Sequence, residues 1–376
     1  MLIFMAISIV NVKITSVKKI PHLIYCFVLF ICLTSSIQVM AKQVDNLYRA
    51  QTEVVNQSSK VRNEAIKRLF AAVLIKVSGK SAVMDNVKVM EAASNAQRFL
   101  TDFNYLRDGS RLLLRVSFNE TVIDDLLKSN GVSIWGSQRP SVMLWLAYEN
   151  ENQRRQIVSE SDATVLERLI KEQSQQRGLP LLLPLWDLDD QMQLSTTDIW
   201  ALFGDKVAQV NQRYASNYMI LSRIGAQGLF KRLDWAIYKV ATNGSNQFDS
   251  GMTQKIVGSG SEEVESIEQA MRVLVNQSTD FFASQYSVDT TEEQGKLEFV
   301  VNNIESLEQF VGVTNYLNAI KAVESVNLVS SIGSRYTFSV RFLGNKLSLI
   351  DGIALEQKLI VQPMFTSEQN VYMWHR

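Results

Sequence analysis

The chain has 376 residues, 46% of them hydrophobic, and its 38 basic and 38 acidic side chains give no net charge. A balanced charge excludes the broad basic surface that nucleic acids and anionic membranes attract. Cys26, Cys32 and His22 lie within the first 41 residues, and the second histidine is His375. The long region between them therefore has no cysteine nucleophile, no serine–histidine–aspartate triad and no histidine- or cysteine-based zinc site.

Residues 1–41 predict an export segment. A stretch with three lysines precedes an uninterrupted apolar run of 11 residues from Leu23 to Leu33, and Ala41 ends a suitable cleavage site. This order is typical of a secretory signal peptide, and a spanning helix needs roughly 20 apolar residues. We therefore expect cleavage after Ala41 and a periplasmic location, with a retained signal anchor as the alternative.

Residues 42–135 predict a small α+β domain with the element order β-α-α-β-α. Its strands show alternation of apolar and polar residues, and its helices show apolar stripes with a capping residue or a terminal glycine. The predicted elements are a strand at Tyr48–Val54, helices from about Ser58 to Gly79 and from Asn86 to Leu100, a strand at Leu112–Phe118 and a short helix after Asn119.

Residues 136–286 predict an α/β domain with a mixed sheet. Val142–Ala147 is apolar on both faces, which is typical of a strand covered by helices on both sides. Alternating strands and helices, followed by an antiparallel pair, indicate helices packed on such a sheet. The other predicted elements are strands at Leu179–Trp186, Tyr218–Arg223, Leu233–Val240 and Phe248–Val257, and helices at 162–177, 197–203, 205–214 and 262–286.

The polar, acidic stretch 287–295 predicts a linker, and residues 296–376 predict a third domain. Ser306 and Gln309 match a capping box at a helix start, and a hairpin is expected across Ile332-Gly333-Ser334. The order β-α-β-β-α-β is that of a ferredoxin-like fold.

Several short motifs resemble one family of exported proteins. They include Val77-Ser78-Gly79, Ile134-Trp135-Gly136, Arg139-Pro140, Leu144-Trp145-Leu146, Leu183-Pro184-Leu185 and Arg213-Tyr214. Together they resemble domain-of-unknown-function family two-zero-six-six, a group of uncharacterised Gram-negative envelope proteins, over about Tyr48–Trp235. The resemblance implies an envelope location and a domain order, and no activity. In predicted topology the middle domain also resembles the N-terminal domain of TolB, which is an analogy of fold alone.

Asp187, Asp189 and Asp190 follow a predicted buried strand, a position where ligands gather in open α/β sheets. Three carboxylates within four residues are weak candidates for binding Mg²⁺ or Ca²⁺. The alternative is a solvated turn, which the lack of a phosphate-binding loop beside them favours. We therefore predict no metal, catalytic or cofactor-binding residue here.

Residues 258–261 precede a predicted helix, whose N-terminus could hold a phosphate. Glu262 and Glu263 would occupy the first turn and repel that phosphate, so an ordinary N-cap at Ser261 is expected. Walker and Rossmann patterns are absent from the sequence, which excludes the usual nucleotide sites.

Trp135 and Arg213 each have two interpretations. Trp135 is either buried where the first two domains meet, which we expect, or an exposed recognition aromatic. Arg213 is expected to make structural hydrogen bonds at a helix end, with a ligand anchor as the alternative. We expect no general base at His375, which is poorly fixed near a chain end.

These observations favour a non-enzymatic periplasmic protein that scaffolds or helps to assemble an envelope complex. Its expected partner is an envelope protein or a peptidoglycan-associated complex, with no cofactor and no nucleic acid. The first alternative is a small-ligand or glycan sensor with a cleft between the first two domains. The second is a hydrolase that uses the carboxylates of Asp187–Asp190.

Overall fold

The computed structural model describes Val44 and residues 46–240, 254–288, 294–356, 358–362 and 370–375. The predicted export segment and the predicted strand start at Phe248 lie outside these residues. The described chain combines helices with three sheets, two of which mix parallel and antiparallel strands. The α+β class expected from the sequence is therefore confirmed.

The first sheet has three antiparallel strands, β1 (Arg49–Glu53), β2 (Leu100–Asp108) and β3 (Arg111–Phe118), in the order β1-β3-β2. Helix α1 (Ser59–Ser78) buries its apolar stripe against this sheet. It ends at Gly79, whose φ of 71° lies in the left-handed region that glycine adopts without strain. This helix and its terminus agree with the sequence prediction.

The second predicted helix is shorter than expected. Helix α2 (Val87–Ser94) begins after Asn86, whose side chain accepts two backbone hydrogen bonds, but a 3₁₀ turn at Ala96–Phe99 follows. The extension to Leu100 is wrong, because Leu100 begins β2. Most β2 side chains are exposed, so backbone pairing with β3 forms this strand and no apolar alternation marks it. Helix α3 (Glu120–Ser129) follows β3 as predicted.

The second sheet has six strands in the order β5-β4-β7-β8-β9, with β6 paired to β4. Strands β4 and β7 are parallel, and β7, β8 and β9 form an antiparallel meander, which matches the predicted mixed sheet. The strands are β4 (Val142–Glu149), β5 (Arg155–Ile157), β6 (Leu181–Leu182), β7 (Tyr218–Gln227), β8 (Phe230–Val240) and β9 (Gln254–Val264).

Both faces of β4 are covered by helices. Val142, Leu144 and Leu146 pack on the side of α4 and α8, whereas Met143, Trp145 and Ala147 pack on the side of α6 and α7. The helices of this region are α4 (Val165–Arg177), α5 (Leu188–Gln193), α6 (Thr196–Trp200), α7 (Gly204–Asn211) and α8 (Ile267–Tyr286).

Two predictions for this sheet are wrong. Only β6, two residues long, forms within 179–186, because Pro180 and Pro184 have no N–H to donate to a neighbouring strand. Residues 258–261 belong to β9, where Gly260 lets the ring of Trp235 approach its backbone closely. Helix α8 consequently begins at Ile267, and its N-cap is Ser266.

The third sheet has five strands in the order β11-β12-β10-β14-β13. The predicted β-α-β-β-α-β order and the capping box at Ser306 are present. A fifth strand, β14, lies between β10 and β13 and widens the expected four-stranded sheet. The elements are β10 (Gln294–Asn302), α9 (Leu307–Ala319), β11 (Val323–Ile332), β12 (Arg335–Leu343), α10 (Lys346–Ala354), β13 (Leu359–Val361) and β14 (Val371–Trp374).

Candidate functional site

The three predicted aspartates lie at the start of α5 and do not form an open turn. Asp187 is the N-cap, and its Oδ1 accepts a hydrogen bond of 3.1 Å from the backbone N–H of Asp190. Asp190 is fully buried, whereas the side chain of Asp189 is 74% exposed. The three carboxylates therefore differ in environment, and only two of them face the protein.

Arg213 binds the two carboxylates that face inward. It donates to both oxygens of Asp187, at 2.8 and 2.9 Å, and to Oδ1 of Asp190 at 2.9 Å. The Arg213 guanidinium holds the pKa of Asp187 at about 2, so this carboxylate is ionised at neutral pH. Arg213 thus makes the structural hydrogen bonds expected of it.

The other oxygen of Asp190 is also occupied. Its Oδ2 accepts hydrogen bonds from the Tyr214 hydroxyl at 2.5 Å and from the Trp186 backbone N–H at 3.0 Å. Both oxygens of the Asp190 carboxylate are therefore bound to protein groups. In the part of the chain that the structure describes, no three His, Cys, Asp or Glu side chains are grouped to hold a metal ion. The arrangement fixes α5 and the end of α7, and it offers no open carboxylate pair for catalysis.

Trp135 and Arg139 lie at the junction of the first and second sheets, and both are almost fully buried. The backbone N–H of Trp135 donates to the carbonyl of Val77 at 2.8 Å, at the end of α1. The Arg139 guanidinium stacks over the Trp135 ring at 3.9 Å from its centroid. Trp135 is thus buried where these two parts of the chain meet, which is the interpretation that the sequence favoured.

Within the described residues, the hydrogen-bond acceptors of Arg139 are all backbone carbonyls. All three of its guanidinium nitrogens donate, and no carboxylate in these ranges accepts from them. The acceptors are Gly136 at 3.0 Å, Arg177 at 3.1 Å, Gly178 at 2.9 Å, Lys76 at 2.6 Å and Trp135 at 3.0 Å. Three of these carbonyls lie at the C-termini of α1 and α4, where the helix dipole carries partial negative charge. The Arg139 side chain therefore joins the ends of two helices that pack on two different sheets.

The glycines that end these two helices make room for the junction. A Cβ at Gly79 would lie 2.6 Å from the Trp135 ring, and a Cβ at Gly178 would lie 2.6 Å from Nη1 of Arg139. Both glycines also have positive φ. Gly79 was predicted as a helix end, and the structure shows that both glycines are contact points as well.

Two further cations surround Arg139. Arg177 donates to the Gly79 carbonyl at 2.9 Å and pairs with Asp280 at 2.6 Å. The ammonium group of Lys76 donates to the Arg49 carbonyl at 2.7 Å. Burial and the nearby Arg139 charge lower the pKa of Lys76 to about 8. The junction thus concentrates positive charge on helix ends.

The third sheet is attached to the other two by polar contacts. Lys321 forms ion pairs with Glu120, at 3.2 Å, and with the buried Asp124 of α3. Asn217 donates to the Leu355 carbonyl at 3.1 Å, which links the second and third sheets. These contacts border a cleft of about 260 Å³ that residues from all three regions line.

This cleft was not expected in its observed position. A cleft between the first two domains was an alternative from the sequence, but the walls also include the segment after α9 and part of α10 in the third region. Arg139 was also missed as the centre of the junction. Its signal is an arginine directly before Pro140 and close to the apolar run Val142–Ala147, where a charged side chain requires buried partners.

The other candidate positions carry no site. Residues 258–261 lie on strand β9, so no helix N-terminus is available there to bind phosphate. His375 is exposed, and its backbone N–H pairs with the Lys358 carbonyl at 2.8 Å. None of the helices in the described ranges is long and apolar enough to cross a membrane.

The first region is similar to a known family. A family model described as a domain of unknown function, DUF8605, matches residues 41–136, which include the first sheet and Trp135. The match confirms a domain of unknown function, under a number other than two-zero-six-six, and it does not extend to Trp235. No curated protein and no solved structure is significantly similar to the chain.

Proposed function

We propose that this protein is a non-enzymatic, exported envelope protein that scaffolds or helps to assemble a periplasmic complex. The binding element in this proposal is strand β11, which pairs with an extended segment of a partner protein. The predicted export segment at residues 1–41 supports the location. The geometry of β11 supports the binding mode.

Strand β11 is a long and open sheet edge. It spans ten residues, pairs with β12 alone among the described strands, and exposes six consecutive residues from Asn327 to Ile332. The side chains of Leu328, Val329 and Ile332 are 46%, 54% and 77% exposed. An unpaired edge with exposed apolar side chains is the surface to which an extended peptide adds as a further strand.

The other long sheet edges are more strongly charged. Edge strand β2 exposes Asp102, Arg107 and Asp108, and edge strand β9 exposes Lys255, Glu262 and Glu263. Charged residues on an edge discourage the addition of another strand. Of the ten residues in β11, only Glu324 is charged. We therefore expect the partner segment to be uncharged and to have an apolar residue at every second position.

Site-specific photo-crosslinking in living cells tests this proposal. A crosslinker that replaces Val329 on β11 should give a defined adduct with one envelope protein, recovered from the periplasmic fraction. The matched control replaces Leu229, which is 96% exposed at the tip between β7 and β8. Leu229 is also apolar and even more exposed than Val329, but it lies in a turn and not on an edge strand.

The Val329 adduct should disappear when Ile332→Lys is added, because a lysine on the strand opposes the pairing. Equal adducts at Val329 and Leu229, or none at either position, would contradict the proposal. The hydrolase alternative receives no support, since Arg213 and Tyr214 occupy the carboxylates that it requires.

A further inference from the structure

We infer that the cleft where the three regions meet is a binding site for a small hydroxylated anion. This chemistry is shared by sugar phosphates and sugar acids. The inference is independent of the partner proposed for β11, because the cleft and β11 are separate surfaces. It rests on the charge of the cleft, on its unpaired polar groups and on its size.

The charge of the lining favours an anion. Lys80 and Lys321 line the cleft, and no described lining residue is acidic. The Lys321 ammonium is already bound to Glu120 and Asp124, so this residue offers mainly its aliphatic stem. Among the described residues, the Lys80 ammonium has neither a hydrogen-bond nor an ion-pair partner. One free cation is therefore available to a negatively charged group.

The unpaired polar groups favour a ligand with hydroxyls. Gln138 lines the cleft, is 9% exposed, and its Oε1 is buried without a hydrogen-bond partner among the described residues. A buried acceptor without a donor is destabilising, and a ligand hydroxyl would satisfy it once the Gln138 side chain turns its oxygen toward the cleft. The hydroxyls of Ser133 and Ser348 also line the cleft, and no described group bonds to them.

The volume of the cleft limits the size of the ligand, and the position of these groups predicts how the ligand affects stability. A cleft of about 260 Å³ lies just below the usual range of ligand sites, about 300–1,000 Å³, and suits one sugar ring with a charged substituent. Ser133 comes from the first region, Gln138 lies in the connection to the second, and Ser348 lies on α10 of the third. A ligand that contacts all three should stabilise their packing and raise the melting temperature.

Binding is tested on the purified protein with four probes: glucose 6-phosphate, glucuronate, glucose and inorganic phosphate. Calorimetry and thermal melting should both detect binding of at least one sugar anion. Glucose and inorganic phosphate should each bind at least tenfold more weakly, because each lacks one of the two recognised features. The comparison of glucose 6-phosphate with glucuronate identifies which anionic group the cleft prefers.

Three variants locate the binding. Lys80→Gln removes the free cation and Ser348→Asp adds a carboxylate to the cleft, so each should weaken binding of the sugar anion at least tenfold. Lys88→Gln, at an exposed lysine on α2, is the matched control and should change the affinity less than twofold. Circular dichroism shows that each variant is folded.

Four outcomes would overturn the inference. They are no binding of any probe, unchanged affinity in Lys80→Gln or Ser348→Asp, equal loss in Lys88→Gln, and binding of inorganic phosphate as tight as that of the sugar anions.

Discussion

Arg139 and Arg213 both make several fixed hydrogen bonds, but their acceptors differ. Arg139 is buried and donates to five backbone carbonyls, three of them at the ends of α1 and α4. Arg213 is partly exposed and donates to the carboxylates of Asp187 and Asp190. The first arginine is balanced by partial charges of the backbone, and the second by full charges of side chains.

This difference sets how each region responds to change. Backbone carbonyls cannot be protonated in ordinary buffers or removed by mutation, so these five contacts can be lost only by changing Arg139 itself. The contacts of Arg213 depend on the carboxylates of Asp187 and Asp190, which can be protonated and can be removed by mutation. The two regions should therefore fail under different conditions, and each failure can be measured separately.

The largest effect is expected from Arg139→Met. This change leaves five carbonyls of the junction without their donor, and we expect it to lower the free energy of unfolding by about 4 kcal/mol. Arg139→Lys should recover part of the loss, because lysine keeps the charge but not the planar fork of donors. Urea denaturation measures both changes.

Arg98→Met, at an exposed arginine, is the matched control and should change stability by less than about 0.5 kcal/mol. If Arg139→Met were no more harmful than this control, the junction would not depend on Arg139.

A smaller effect is expected from Asp190→Ala at the other region. The change removes the acceptor of the Tyr214 hydroxyl and the Trp186 N–H, and Arg213 keeps Asp187 as its hydrogen-bonded carboxylate. We expect a loss of about 3 kcal/mol in the free energy of unfolding, as for other buried charge pairs that lose one member. Asp189→Ala is the matched control, since Asp189 is exposed and 3.9 Å from Arg213. Equal losses in the two variants would contradict the stabilising role of the buried contacts of Asp190.

The sequence predicted the elements whose local signals are strong. Helix α1 and its terminal Gly79, the buried strand β4 and the capping box at Ser306 were all expected, because each depends on neighbouring residues. Strand β2 was missed because its side chains are mostly exposed and its pairing with β3 forms it. Helix α8 was predicted too long because a glycine–serine stretch can precede a helix or, as here, complete a strand.

The site was harder to predict for a related reason. The partners of Arg139 are backbone carbonyls, which every residue has, so no sequence pattern identifies them. The partners of Arg213 are aspartates 23 and 26 residues away, visible as charges but not as contacts. The cleft depends on how three regions pack together, which periodicity and spacing do not determine.

The smallest and most specific effect is expected on the pH dependence of stability. The Arg213 region should affect stability at acid pH, and the Arg139 region should affect it at alkaline pH. The folded pKa of Asp187 is about 2, below its ordinary value of 3.8, so its contribution to stability is present above about pH 4 and is lost as the pH falls toward 2.

The folded pKa of Lys76, next to Arg139, is about 8, below its ordinary value of 10.5. Between these two values the unfolded state binds more protons, so stability should rise as the pH increases from about 8 to 10. Urea denaturation at pH 3, 6, 8 and 10 measures both ranges. Asp187→Asn should reduce the acid loss only, and Lys76→Met should abolish the alkaline rise only. If either variant changed both ranges, or neither, the two regions would not titrate independently.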